Sequence, residues 1–212
     1  MPRSIRRRPD AMLAGELYRL LMAGADRDRD FTRHVLACSL ALAHGERGRK
    51  LDAALGLSAN HVTALLLTHF PHAAAFVADR LAFDGQGDQP ASLEEPDLRQ
   101  LLLDNRATNG PEGVWLAHII ARRSLESNHL WQDLGLRDRS DLSRLMRDFF
   151  TPLALANMRD MKWKKFFYRT LCQNEGVLIC KSPVCDNCDD FAICFGAEDG
   201  HSLLAQNARV SA

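Results

Sequence analysis

Along the first four-fifths of the chain, apolar residues recur at intervals of three and four, the spacing that lines one face of an α-helix. Leu13, Leu17, Leu20 and Leu21 form the first stripe, with Asp10 as its N-terminal cap and Gly24 near its end. A second runs from Asp30 through Val35, Leu36, Ser39 and Leu40 to Gly45, whose missing Cβ suits a left-handed C-terminal cap. Ser58 caps Val62, Leu65, Leu66 and His69, and Pro71 restarts the chain into Phe76, Val77 and Leu81. Pro96 falls in the first turn of a helix carrying Leu98, Leu101 and Leu102, and the Asn109-Gly110-Pro111 turn leads into Val114, Trp115, His118 and Ile119. Asp141 caps Leu142, Leu145, Met146 and Phe149, which Pro152 stops. Alternating apolar and polar runs are almost absent, so the pattern predicts an all-α, multi-helix domain with an irregular Cys-rich loop near the C-terminus.

Gly85-Gln86-Gly87-Asp88-Gln89-Pro90 interrupts the periodicity and divides the chain. The expected organisation is a disordered basic arm (1–9), a helical layer (10–84), a linker (85–95), a second helical layer (96–175), the Cys-rich loop (176–197) and a tail (198–212).

Composition narrows the function classes. With 212 residues, 46% of them hydrophobic, the chain can bury a core without disulfides. The runs at Leu65-Leu66-Leu67 and Ile119-Ile120 are cut off by His or Arg well short of the roughly 18 residues of a membrane span. The 27 basic residues balance 27 acidic ones, which argues against broad nucleic-acid binding. Arg3, Arg6, Arg7 and Arg8 precede no apolar signal region, so a cytoplasmic location is expected.

The chemistry concentrates in the cysteines. Cys180, Cys185, Cys188 and Cys194 form a C-x4-C-x2-C-x5-C array, and Pro183, Asp186-Asn187 and Gly196 favour turns that gather the sulfurs about one point. Thiolates select zinc, copper(I) or iron-sulfur. A single C-x2-C between longer arms favours a cluster, in which each iron takes its own thiolate, over one zinc ion; a zinc-stapled helical interaction module is the alternative. Val184, Phe191, Ile193 and Phe195 would wrap such a cluster in apolar surface. Cys172 is either a fifth ligand or a helix cysteine packed beside Phe167, and Cys38 belongs to the core. His118, on an apolar face, and His129, in a more open position, are candidate nitrogen ligands for a heterometal. Lys162, Lys164, Lys165 and Arg169 alternate with Trp163, Phe166, Phe167 and Tyr168, giving one buried face and one cationic face placed to meet an oxyanion or a partner. There is no G-x4-G-K-[ST], G-x-G-x-x-G, H-E-x-x-H or G-x-S-x-G motif, which moves weight from enzyme to carrier.

The stretches Leu130-Trp131-Gln132-Asp133-Leu134-Gly135-Leu136 and Asn157-Met158-Arg159-Asp160-Met161-Lys162-Trp163-Lys164-Lys165-Phe166-Phe167-Tyr168-Arg169, followed by the array ending in Cys194-Phe195-Gly196, resemble the NifQ family. The resemblance is strongest from Arg106 to Gly196. It implies a bacterial cytoplasmic metal carrier rather than an enzyme, one that donates molybdenum for assembly of the iron-molybdenum cofactor in nitrogen fixation. It also implies an iron-sulfur cluster of 3Fe-4S or 4Fe-4S type, convertible to a molybdenum-iron-sulfur cluster, at Cys180, Cys185, Cys188 and Cys194. Molybdate or another molybdenum source is the implied supply, and the NifEN scaffold complex and the nitrogenase iron protein NifH are the implied recipients. The array is also similar to the iron-sulfur loop of endonuclease III-type DNA glycosylases, but those carry x6 in the first gap and a Gly- and Pro-rich hairpin before a catalytic Asp, both absent here. No nucleic-acid or membrane partner is expected.

Overall fold

The computed structural model describes residues 13–46, 49–74, 87–174, 176 and 191–204. Among them are eleven helices and no strand, the all-α fold that the periodicity predicts. They are α1 (Ala14–Leu21), α2 (Phe31–Gly45), α3 (Leu51–Leu55), α4 (Ala59–His69), α5 (Glu95–Asp104), α6 (Pro111–Ser124), α7 (Leu130–Asp133), α8 (Arg139–Phe149), α9 (Thr151–Ala156), α10 (Trp163–Asn174) and α11 (Phe191–Phe195). No helix among the described residues is long and apolar enough to cross a membrane.

Two helices form the centre. Every residue of α2 from His34 to Ala43 is buried, and α6 is buried along most of its length from Trp115 to Ser124. A helix covered on all sides must be enclosed by others. Here α1 lies along α2 and α5 along α6, while α10 reaches back to α5. One core runs from Ala14 to Leu204, so residues before and after the 85–95 segment share it.

Several local expectations resolve differently. Gly45 has no left-handed backbone; it is the last residue of α2, and a Cβ there would stand 3.3 Å from Ala14 Cβ. Its small size serves the close approach of α1 to α2. The cap before Leu142 is Asp138, whose Oδ1 accepts from Ser140 and Asp141 N–H at 2.9 and 3.2 Å; Asp141 sits inside the helix, buried beside His34. Pro152 does more than stop a helix: after a bend at Phe150 it occupies the first turn of α9, where its missing N–H costs nothing. Ser58 caps α4 as expected. Asp10, Phe76, Val77 and Leu81 lie outside the described residues.

The described part of the 85–95 segment is fastened to the body by charge. Arg122, 5% exposed in its side chain, donates from Nη2 to the carbonyls of Gly87 (3.3 Å) and Gln89 (2.7 Å), and from Nη1 to that of Ala53. Its Nε meets Glu95 Oε2 at 2.9 Å, and Arg99 holds Oε1 at 2.8 Å. Although burial opposes ionisation, these donors and the Ala91 N–H keep the Glu95 carboxyl below the usual carboxylate range. Gly87 is buried so tightly that a Cβ would lie 2.2 Å from the Leu57 carbonyl oxygen.

Candidate metal centre

Of the four-cysteine array, Cys194 lies within the described residues; Cys180, Cys185 and Cys188 lie outside them. Cys194 is half-buried on α11, a helix none of whose residues is buried. Such a short element cannot hold itself, and its place is set by the turn before α10. There, Asn157 closes a ring of hydrogen bonds: Nδ2 donates to the Met161 carbonyl, Oδ1 accepts from Met161 N–H, both at 2.9 Å, and the Asn157 carbonyl accepts from Asp160 N–H at 3.0 Å. Asp160 adopts φ +54°, a left-handed conformation that Asp tolerates. The turn leaves Lys162 N–H to donate to the Cys194 carbonyl at 2.8 Å, while Lys162 Nζ approaches the Ala192 carbonyl at 3.4 Å. The Arg159 guanidinium lies 5.3 Å over the Phe195 ring, which stacks on Phe191 at 4.6 Å.

A second clamp grips the chain just after the last cysteine. Arg139 donates to the Asp160 carbonyl (2.8 Å), Asp160 Oδ1 (2.9 Å) and the Met161 carbonyl (3.1 Å), and its Nη1 meets Glu198 Oε2 at 2.6 Å. Burial disfavours the Arg139 charge, but Asp160 and Glu198 outweigh it and raise its pKa. Glu198, 4% exposed in its side chain, also meets His129 Nδ1 at 3.3 Å. Gln132 donates to the His201 carbonyl at 3.1 Å and Ser202 to the Gly135 carbonyl at 3.3 Å. Thus residues of both the Leu130–Leu136 and the Asn157–Arg169 stretches contact the segment that carries Cys194 and the residues just after it.

The other candidate residues divide. His129 faces this segment through Glu198. His118 does not contact it in any described interaction; its Nδ1 donates to the Gly56 carbonyl at 2.9 Å beside His61, and burial lowers its pKa. Cys172 is half-buried on α10, and Lys165 is exposed on the same helix. Lys164 is committed, with Nζ 2.6 Å from both Asp133 Oδ2 and the Glu126 carbonyl. Arg169 is half-buried. Among the described residues no three His, Cys, Asp or Glu side chains gather closely enough to hold a metal ion. The thiols fit a soft metal or cluster by donor chemistry, with Cys194 presented from a fixed backbone. Arg139 and Glu198 were not foreseen; the only hint was their charge, because the pairing spans 59 positions (198 minus 139) of the sequence.

The NifQ family profile matches residues 35–196, a span containing all four cysteines of the array. A protein NifQ homolog from Sinorhizobium fredii is 39% identical over 184 residues, covering 84% of this chain and 77% of the relative. Protein NifQ of Azotobacter vinelandii is 39% identical over 154 residues, 68% of this chain and 78% of its own. That of Rhodobacter capsulatus is 46% identical over 114 residues, 52% and 63% respectively. No solved structure matches. By the extent of the profile match and the coverage of these relatives, the chain belongs to the NifQ family.

Proposed function

We propose that this chain is an accessory protein of nitrogen fixation that carries molybdenum on or beside an iron-sulfur cluster and donates it to iron-molybdenum cofactor assembly. The observation that carries the reading is the family match across the whole C-x4-C-x2-C-x5-C array. Cys180, Cys185, Cys188 and Cys194 would hold the cluster, which supplies soft bridging sulfur for a heavier metal. The chain's own part is to present Cys194 from a backbone pinned by Lys162. His129, paired with Glu198 in the segment that follows Cys194, is the better placed of the two histidines to serve an exchangeable metal, and Cys172 is a further candidate thiol. Lys162, Lys165 and Arg169 are the cations through which NifEN or NifH would dock, in the cytoplasm, with molybdate as the source.

The test is anaerobic purification from cells grown with molybdate, followed by iron, molybdenum and zinc analysis and a visible spectrum. A brown protein containing iron and molybdenum is expected, and Cys180→Ala, Cys185→Ala or Cys188→Ala should each lose both metals. A colourless protein with one zinc would replace the carrier with the stapled interaction module.

A further inference from the structure

Asn157 is 8% exposed, and its side-chain amide commits both of its hydrogen bonds to one residue: Nδ2 donates to the Met161 carbonyl and Oδ1 accepts from Met161 N–H, each at 2.9 Å. A buried amide is costly unless matched in this way, and the match fixes the peptide planes on both sides of Met161. The plane that follows Met161 is the one that reaches the cysteine. A trans peptide is flat, with its carbonyl and its N–H on opposite edges. One edge of the Met161–Lys162 peptide is the carbonyl held by Asn157 and, at 3.1 Å, by Arg139 Nη2. The opposite edge is the Lys162 N–H, which donates to the Cys194 carbonyl at 2.8 Å. A single rigid plane thus joins the helical body to Cys194. Because the gripped carbonyl belongs to Cys194 itself, tilting the plane moves the carbon from which the thiol hangs. Asp160 gives the plane its direction. Its φ of +54° turns the chain back between α9 and α10, its N–H donates to the Asn157 carbonyl at 3.0 Å, and its side chain is 74% exposed. Asp and Asn tolerate that backbone region, whereas β-branched residues do not.

We infer that Asn157 and Asp160 are positioning residues of the metal centre: by setting the Met161–Lys162 peptide they fix where Cys194 stands, and with it how firmly the cysteine array keeps its metal. The inference rests on the proposed reading of the array as a metal site. Each residue acts through the Lys162 N–H rather than as a ligand.

The test compares the full chain with Asn157→Ala, Asp160→Val, Asp160→Asn and Ser58→Ala, each metal-free and after anaerobic loading. In the metal-free chain, Asn157→Ala and Asp160→Val should each speed hydrogen exchange of the Lys162 amide about tenfold, the loss of roughly one buried hydrogen bond. Asp160→Asn keeps both the left-handed conformation and an oxygen for Arg139, and should exchange at the wild-type rate. Ser58→Ala removes the cap of α4 and lowers the melting temperature without reaching the turn, so the Lys162 amide should not respond. In the loaded chain, the first two variants should release iron to a chelator about tenfold faster than wild type and shift the visible spectrum, and the last two should do neither. Should Asn157→Ala not fold, Asp160→Val decides, because its side chain stands in solvent. Faster Lys162 exchange with unchanged metal release overturns the inference, as does a Lys162 amide that ignores both substitutions. A wild-type chain that holds zinc in place of iron fails the carrier reading alone, and zinc release from the same variants then tests the turn. A chain that takes up no metal overturns both.

Discussion

In the helical body, every residue of α2 from His34 to Ala43 is covered, and the buried Glu95 carboxylate is met on both oxygens by Arg99 and Arg122. At the cysteine-bearing end, α11 has no fully buried residue; Cys194 and Phe195 pack against the edge of the core, helped by a few hydrogen bonds to backbone, the Arg139–Glu198 pair and a cation over a ring. Apolar burial is the main source of the body's stability. The end is tethered at its last cysteine through the Lys162 N–H and just beyond it through Glu198.

The sharpest way to break this contrast is to strike the body. Glu95→Ala leaves two arginines facing a vacated buried site and should cost about 3–5 kcal/mol of global stability, read as a lower denaturant midpoint. Metal content per folded molecule should be unchanged. A parallel loss of metal would mean that body and end are one cooperative unit.

Acidification should also act on the body first. Burial lowers the pKa of His34, His69 and His118; His34 is enclosed by Tyr18, Cys38 and Asp141, and Glu112 faces His69. The unfolded chain takes up these protons near its ordinary value of 6.5 and the folded chain resists them. Stability is therefore full above about pH 6.5 and declines as the pH falls below it. Glu95, Glu126 and Asp138, held below the ordinary range by hydrogen bonds and nearby cations despite burial, extend the loss below pH 4.5. A melting temperature unchanged between pH 7 and pH 5 would contradict the histidine contribution.

Arg139→Ala probes the end alone. Removing its contacts to Asp160, Met161 and Glu198 should cost about 1.5–3 kcal/mol locally, seen as faster hydrogen exchange over 191–204 with protection in α2 and α6 preserved. Smallest of all, Gly24→Ala places a Cβ in open space on a backbone at φ +73°, so the melt should register only the left-handed penalty of about 1 kcal/mol. A larger effect would point to packing that open space cannot supply.

Periodicity made most of the body legible: Leu98, Leu101 and Leu102, or Leu142, Leu145 and Met146, are buried where a three-to-four spacing puts them. Boundaries were less legible because competing caps look alike in sequence. Asp138 and Asp141 are chemically identical, and only the fold decides that the first meets free N–H groups while the second turns inward to His34. Gly45 could mean either a left-handed turn or a close helix crossing, and the crossing requires knowing where Ala14 lies. For the site, the cysteine spacing and the Asn157–Arg169 run were visible because their members are neighbours in sequence. The Glu198 clamp was not, since it joins residues tens of positions apart and no local period encodes it.

Both anchors of the clamp, Arg139 and Lys162, precede in the chain what they grip, Glu198 and Cys194. During synthesis the receiving surface therefore leaves the ribosome before the final thiol does. The segment that carries Cys194 therefore docks onto a platform whose anchoring residues have already been synthesised.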